Sequence, residues 1–431
     1  MNSSRCRSYL QDLQRFGIKL GLENISAVLS SFHHPQRSFP SVHVAGTNGK
    51  GSVCAMLAEI LSRHGLKVGL YTSPHLVRVE ERIRVGGRLI PQKDFCRLTG
   101  VVKRRIERLL AQGKLGAPPT FFEVLTVIAF LHFREREVDI VVLETGIGGR
   151  FDATNVVTPL VSVITNISSD HREHLGTTLK QIAFEKAGII KPGVPVVSGI
   201  ERGVAFRVIR ARAIEEKAPV FFPYGRDGRL TAEKRRGRYV FRFRHDGETF
   251  RFSPGLRGEH QGTNAGVAIT AASVLDRTWR PLEKKKIIEG VERVEWQGRL
   301  ETFSRNPLVL LDGAHNEAGA AALKKYIEDF CRRPLVIVFA MMKDKAVKRF
   351  ATLVFPLARE VILTSMPYPR AATPAEALSL VRPFGREFVI EPSLKKAVAL
   401  ARTVAGRRGT VLITGSLFLV GEAKKQRLGG G

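Results

Sequence analysis

Gly46-Thr47-Asn48-Gly49-Lys50-Gly51-Ser52 is the stretch whose reading sets the fold of this chain. It follows a short run at 41–45 that predicts a β-strand. It precedes 51–64, where Val53, Met56, Leu57, Ile60 and Leu61 recur at helical spacing. A glycine-rich turn between strand and helix is suited to phosphate. Glycines let backbone N–H groups turn inward around phosphate oxygens, and the helix N-terminus adds partial positive charge. Lys50 supplies a mobile cation for the β- and γ-phosphates, and Ser52 offers a hydroxyl to Mg²⁺. The strict phosphate-loop pattern is not met. It would need glycine where Val44 stands, and Gly51 separates Lys50 from the hydroxyl residue. A tight turn with an incidental lysine is the competing reading; the strand before and the helix after favour nucleotide binding.

Outward from this loop, strands and helices alternate. Strands are expected at 67–71, 138–143, 160–165 and 194–197, and a helix at 121–134. The run 138–143 is almost wholly apolar, as when both faces of a parallel sheet are covered. A second series begins at 308–311 and continues at 335–339, 360–364, 387–390 and 410–413. The class predicted is α/β. A phosphate-loop ATPase-type N-terminal domain with a mostly parallel sheet is expected over 1–297, and a smaller Rossmann-like domain over 298–431, divided near Gln297-Gly298-Arg299. Within the first, 239–243 and 249–252 flank His245-Asp246-Gly247, a β-hairpin signal placing an insertion near 226–253. Tyr239, Phe241 and Phe243 alternate there with Arg238, Arg242 and Arg244. Aromatic and basic residues on a sheet can hold single-stranded nucleic acid. Strict alternation instead puts the aromatics on one face and the arginines on the other, the pattern of a half-buried hairpin.

With 431 residues, two domains are expected. Hydrophobic residues at 44% and charged residues at 25% are those of a globular chain and exclude a disordered or collagen-like one. No run of about 18 apolar residues occurs, so no membrane helix is expected. The polar start Met1-Asn2-Ser3-Ser4-Arg5-Cys6-Arg7 is not that of a secretory signal. Cys6, Cys54, Cys96 and Cys331 lie far apart, which argues against a zinc site or a disulfide framework and fits a cytoplasmic setting. The formal charge of +29 attracts polyanions. Its excess is spread over the parts before and after Arg299, unlike a nucleic-acid-binding arm, and is read as a surface bias that favours small anionic substrates. No nucleic-acid or membrane partner is expected, and a monomer is.

The Asn-Gly-Lys-Gly loop resembles that of the folate branch of the Mur ligase superfamily, the folylpolyglutamate synthases and dihydrofolate synthases. Further motifs resemble this branch in its order: Thr72-Ser73-Pro74-His75-Leu76, Leu143-Glu144-Thr145-Gly146-Ile147-Gly148-Gly149-Arg150-Phe151-Asp152-Ala153-Thr154-Asn155, Asp170-His171 with Leu175-Gly176, Glu185-Lys186-Ala187-Gly188-Ile189, Gly258-Glu259-His260-Gln261 with Asn264, Gly298-Arg299, Asp312-Gly313-Ala314-His315-Asn316, and Thr414-Gly415-Ser416-Leu417.

From the residues themselves, Glu144 ends an apolar strand, at the sheet edge where open α/β folds bind ligands, and a hard oxygen there suits Mg²⁺. Phe184, Ala187 and Ile189 around Lys186 predict partial burial, which lowers a lysine pKa and favours the neutral amine. The resemblance implies more. Thr47, Asn48, Gly49, Lys50, Gly51 and Ser52 would hold ATP phosphates, with Asn264, Arg299 and Asp312 on adenine, phosphates and ribose. Ser73, Glu144 and His171 would bind two Mg²⁺ ions, beside a carbamylated Lys186. Lys50, Lys186 and His315 would be the catalytic groups, His315 lying near the incoming glutamate. Thr120, Phe121, Phe122 and Glu123, with Phe151, Asp152 and Ala153, would form a pterin site, where an aromatic face stacks on the ring and Asp152 accepts its N–H donors.

The implied activity is ATP-dependent ligation of L-glutamate to dihydropteroate and to reduced folates through an acyl phosphate. Three alternatives stand beside it: a single-activity folate ligase, another Mur-type amide ligase, and a nucleic-acid-binding phosphate-loop protein.

Overall fold

The computed structural model describes residues 1–14, 17, 21–170, 172–224, 228–343, 347–382 and 387–428. Two α/β sheets organise it. In the first lie β1 (Ser41–Ala45), β2 (Val68–Tyr71), β3 (Ile83–Val85), β4 (Arg88–Leu89), β5 (Ile140–Glu144), β6 (Val161–Ile164), β7 (Val196–Ser198) and β8 (Val220–Phe221). Their spatial order is β4-β3-β2-β5-β1-β6-β7-β8. Every pairing from β2 to β8 is parallel; β3 and β4 add an antiparallel edge. β5 lies on one side of β1 and β6 on the other, so the chain changes direction there. That topology opens a crevice at the carboxyl ends of β1, β5 and β6.

The sheet is covered on both faces, as its apolar strands require. Helices Lys50–Arg63, His260–Thr278 and Lys284–Arg293 pack on one face, around Val42, Val44, Val142 and Val163. The other face meets helices Gln92–Ala111 and Phe121–Glu135 through Tyr71, Val141 and Leu143, and Gly203–Glu215 through Ala45, Ile164 and Ile209.

The expected hairpin is part of a three-stranded antiparallel sheet: β9 (Arg229–Arg235), β10 (Arg238–His245) and β11 (Glu248–Phe252). β9 reads Arg-Leu-Thr-Ala-Glu-Lys-Arg, and its charged composition hides the strand from pattern reading. The aromatics of β10 and β11 are buried and the arginines of β10 exposed. Phe241 packs so closely on the helix His260–Thr278 that a Cβ at Gly262 would fall 2.2 Å from its ring.

The second sheet holds β12 (Glu301–Arg305), β13 (Leu308–Asp312), β14 (Leu335–Phe339), β15 (Glu360–Leu363), β16 (Val389–Ile390) and β17 (Thr410–Thr414), in the order β12-β13-β17-β14-β15-β16. Only β12 runs antiparallel. Helices Glu317–Phe330 and Val347–Val354 cover one face, Leu394–Ala405 and Leu417–Lys425 the other. The chain is thus α/β throughout, with a mostly parallel N-terminal sheet and a separate C-terminal sheet. No described helix is long and apolar enough to cross a membrane.

Candidate active site

The carboxyl edges of the two sheets face each other across a cleft of about 1030 Å³. Its N-lobe wall is the turn after β1. Gly46 has φ 152° and Gly49 φ 81°; a Cβ at Gly46 would fall 1.9 Å from the Thr165 hydroxyl, and one at Gly49 2.4 Å from Asn264 Oδ1. Glycine is therefore needed at both positions. The turn is tied to the chain after β6. Thr47 N donates to Asn166 O (2.9 Å), Asn48 N to Asn166 Oδ1 (2.9 Å), and Thr165 Oγ1 to Asn48 O (2.6 Å). Lys50 Nζ folds over the turn onto the carbonyls of Gly46 (2.9 Å) and Thr47 (3.2 Å). Ser52 is buried in the first turn of the following helix, 3.4 Å from Gln261 Nε2, and Asn264 Nδ2 donates to Gln261 Oε1 (2.9 Å).

Glu144 closes β5 and is 4% exposed, yet its carboxylate lines the cleft. Oε2 accepts a hydrogen bond from Ser73 N at 3.0 Å. Burial raises its pKa, opposed by Lys50, Arg299 and Arg82. A buried carboxylate beside a serine and a glycine-rich strand-to-helix turn is a donor set that fits Mg²⁺, which uses one or two carboxylates and takes its remaining ligands from phosphates and water. Among the described residues no three His, Cys, Asp or Glu side chains converge on a metal position. His171, the expected third protein ligand, lies outside the described residues.

Lys186 does not line the cleft. It sits behind the turn, 4% exposed, and its Nζ donates to the same Gly46 carbonyl that holds Lys50 (2.9 Å). Burial first, and the neighbouring Lys50 charge second, bring its pKa down to about 7. Of the three neighbours expected to bury it, Ala187 and Ile189 are buried in the core, while Phe184 is 50% exposed, its ring under the Arg150 guanidinium at 4.8 Å.

The expected pterin residues all line the cleft. Two depart from the roles expected of them. Thr120 and Glu123 form a capping box at the start of the helix Phe121–Glu135: Glu123 Oε2 accepts from Thr120 N (2.7 Å) and Thr120 Oγ1 (2.8 Å). That carboxylate serves its own helix. Asp152 already accepts four hydrogen bonds, from Gly146 N (2.8 Å), Ile147 N (2.9 Å), Thr154 N (3.0 Å) and Thr154 Oγ1 (2.5 Å). A ring N–H must compete with these. Phe122 packs 5.8 Å from Tyr71, and the Arg82 guanidinium lies 5.4 Å over Phe121.

From the C-lobe, Asp312 accepts from Leu300 N and Ala314 N, each at 2.9 Å. These bonds hold Leu300 at φ 47° and set Arg299 against the cleft. A carbonyl oxygen can only accept, so His315 Nδ1 donates to Gly313 O (2.8 Å), while Nε2 points to Asp170 Oδ2 at 3.8 Å. Asn316 Nδ2 crosses the cleft to Asn48 Oδ1 (2.9 Å) and joins the lobes directly.

Arg82, His75, Asn316 and Tyr368 line the cleft and were not among the expected residues. Arg82 Nε donates to His75 Nδ1 at 3.0 Å, and burial holds the His75 pKa down at about 3. Histidine following Ser73-Pro74 in a quoted motif was the available signal; the position of Arg82 depends on the antiparallel edge.

A glycine-rich strand-to-helix turn, a buried carboxylate and a second α/β lobe across the cleft are the frame of a nucleotide-dependent ligase of the Mur class. Residues 44–272 match the Mur ligase middle domain and 298–417 the Mur ligase glutamate ligase domain. The chain is 34% identical over 424 residues to the dihydrofolate synthase/folylpolyglutamate synthase of Bacillus subtilis (strain 168), covering 97% of this chain and 98% of that one. The folylpolyglutamate synthase of Mycobacterium tuberculosis complexed with ADP superposes with a TM-score of 0.90 at 32% identity, covering 99% of each chain. E. coli FolC in complex with DHPP and ADP superposes with a TM-score of 0.85 at 27% identity, covering 98% of this chain and 97% of that one. The chain belongs to the dihydrofolate synthase/folylpolyglutamate synthase family of Mur ligases and is an ATP-dependent ligase.

Proposed function

We propose that this chain joins L-glutamate to dihydropteroate and to reduced folates, spending one ATP per amide bond. The observation that carries the reading is the single cleft, which brings the phosphate turn, Glu144, the aromatic and Asp152 wall, and Asp312 and His315 of the C-lobe to one volume. Solved structures of relatives in complex with ADP, one with DHPP as well, support it.

The N–H groups of the turn and the N-terminus of the helix Lys50–Arg63 would receive the ATP phosphates. Lys50 would swing from its loop carbonyls to the γ-phosphate, with Asn264 on the adenine, Arg299 on the phosphates and Asp312 on the ribose. The substrate carboxylate takes the γ-phosphoryl group, giving an acyl phosphate and ADP. The α-amine of glutamate then attacks the carbonyl, phosphate leaves and the amide forms. His315, whose Nε2 is not engaged by Gly313, would take the proton lost by the amine. Residues 298–431 closing over 1–297 would keep water from the acyl phosphate. Mg²⁺ held by Ser73 and Glu144, with His171 for a second ion, would neutralise charge on the transferred group. Lys186 as a neutral amine could react with CO₂ to form a carbamate behind the turn.

The test is purified enzyme assayed for ADP release with dihydropteroate or tetrahydrofolate, with and without glutamate. Lys50→Ala should abolish release with both. Equal release without glutamate, or unchanged turnover in the variant, sinks the reading; activity with one acid only reduces it to a single-activity ligase.

A further inference from the structure

β1 carries an imidazole where its role as a core strand calls for an apolar side chain. His43 is 0% exposed, between Leu143 of β5 and Ser162 of β6, and no step of the proposed reaction uses it. Burial first, and the Lys191 charge second, hold its pKa down at about 3, so the ring is neutral. Its Nε2 lies 2.7 Å from Thr154 Oγ1, and that oxygen lies 2.5 Å from Asp152 Oδ1.

The proton positions follow from counting donors. A hydroxyl has one proton, and a 2.5 Å contact with a carboxylate is a charge-assisted O–H···O⁻ bond. Thr154 therefore donates to Asp152, and its oxygen must accept from His43. That places the ring proton on Nε2 and leaves Nδ1 bare. Nδ1 has no hydrogen-bond partner among the described residues. The other tautomer would bury an unpaired N–H there, a larger cost than an unpaired acceptor of this kind. The relay thus has one direction, His43 to Thr154 to Asp152. Beyond it, Asp152 Oδ2 accepts from Gly146 N and Ile147 N, which follow directly on Glu144 and Thr145. One buried chain runs from the core strand beneath the phosphate turn to the wall of the cleft.

We propose that His43 is a positioning residue: through the Thr154 hydroxyl it holds Asp152 and the 145–152 turn in the shape that receives the pteridine ring. This rests on reading that wall as the pterin site. Because His43 also supports the core, the decisive pair is Thr154→Val, which keeps shape and loses the hydroxyl, and Thr154→Ser, which keeps the hydroxyl.

The experiment measures dihydropteroate Kd by intrinsic fluorescence, KM for dihydropteroate and for ATP, kcat and Tm. Thr154→Val should raise Kd and KM for dihydropteroate by roughly 10-fold or more, as loss of a group that orients a ligand-holding side chain does. Its KM for ATP and its kcat should stay within about 2-fold of wild type, with Thr154→Ser restoring the pterin values. His43→Gln, whose amide can donate to Thr154, should resemble Thr154→Ser; His43→Leu should resemble Thr154→Val. Equal changes in all kinetic constants, or a dihydropteroate Kd unchanged or tightened in Thr154→Val, overturn the relay. Failure of the wild-type enzyme to bind dihydropteroate overturns the pterin reading itself.

Discussion

The two sheet edges that face each other across the cleft are made of similar parallel strands but put their polar side chains to different uses. On the N-lobe edge ionisable side chains gather around the turn: Glu144 enters the cleft, half-buried Lys50 lies over the turn, and Lys186 supports it from behind. On the C-lobe edge the side chains are largely occupied in shaping their own backbone. Asp312 holds the Leu300 and Ala314 amides, Asn316 Oδ1 accepts from Gly319 N at 2.9 Å, and Ser416 Oγ accepts from Phe418 N at 3.1 Å. One edge gathers ionisable groups around a glycine turn, and the other spends its polar groups on its own backbone shape.

The comparison breaks first at Glu144. Glu144→Gln keeps the Ser73 contact and removes the charge, and turnover should fall by roughly 10²–10³-fold, the several kcal/mol that a metal-held charge contributes in the transition state. A change of only a few-fold would mean that the N-lobe edge does not work through charge.

Gly49→Ala asks whether the turn must have its present conformation. At φ 81° the substitution should cost about 1–2 kcal/mol, and ADP, followed by titration calorimetry, should bind roughly tenfold more weakly.

Lys186 sharpens the comparison through pH. Between about pH 7 and the ordinary lysine value of 10.5, the unfolded chain holds a proton that the native one has lost. Stability should therefore rise with pH across that window. Denaturant titrations of Lys186→Met should show the rise flattened, with the largest relative gain for the variant below pH 7.

The smallest effect belongs far from both edges. Arg242 on β10 faces Arg251 on β11, a like-charge pair. Arg242→Ser should leave turnover unchanged and shift stability by no more than about 0.5 kcal/mol, toward greater stability; a loss of activity would give the arginine face a catalytic part.

Legibility differed by region for physical reasons. The phosphate turn could be read because its glycines, lysine and flanking periodicities are contiguous, and the strand expected at 41–45 is β1 itself. The aromatic alternation of β10 could be read because a strand has a period of two. β9 could not: a strand of charged residues carries no such alternation. Burial of Lys186 was foreseen from Phe184, Ala187 and Ile189, although Phe184 is half exposed. Asp152 was legible as a cleft residue, but the four donors that occupy its carboxylate come from backbone and side-chain geometry that no spacing reveals. His43 looked like one residue of a strand until the fold brought Thr154, 111 positions away, to its ring.

The order of residues alone determined the α/β class, the two strand series, the glycine turn and the chemical type of each cleft residue, since these depend on local periodicity and on side chains. Only the tertiary structure decided which lysine lies in front of the turn and which behind it, which carboxylates remain available and which are committed to their own backbone, and that a core histidine reaches the cleft wall. Hydrogen-bond partners and burial depend on segments far apart in the chain, and these properties exist only once the two sheets and their helices have packed.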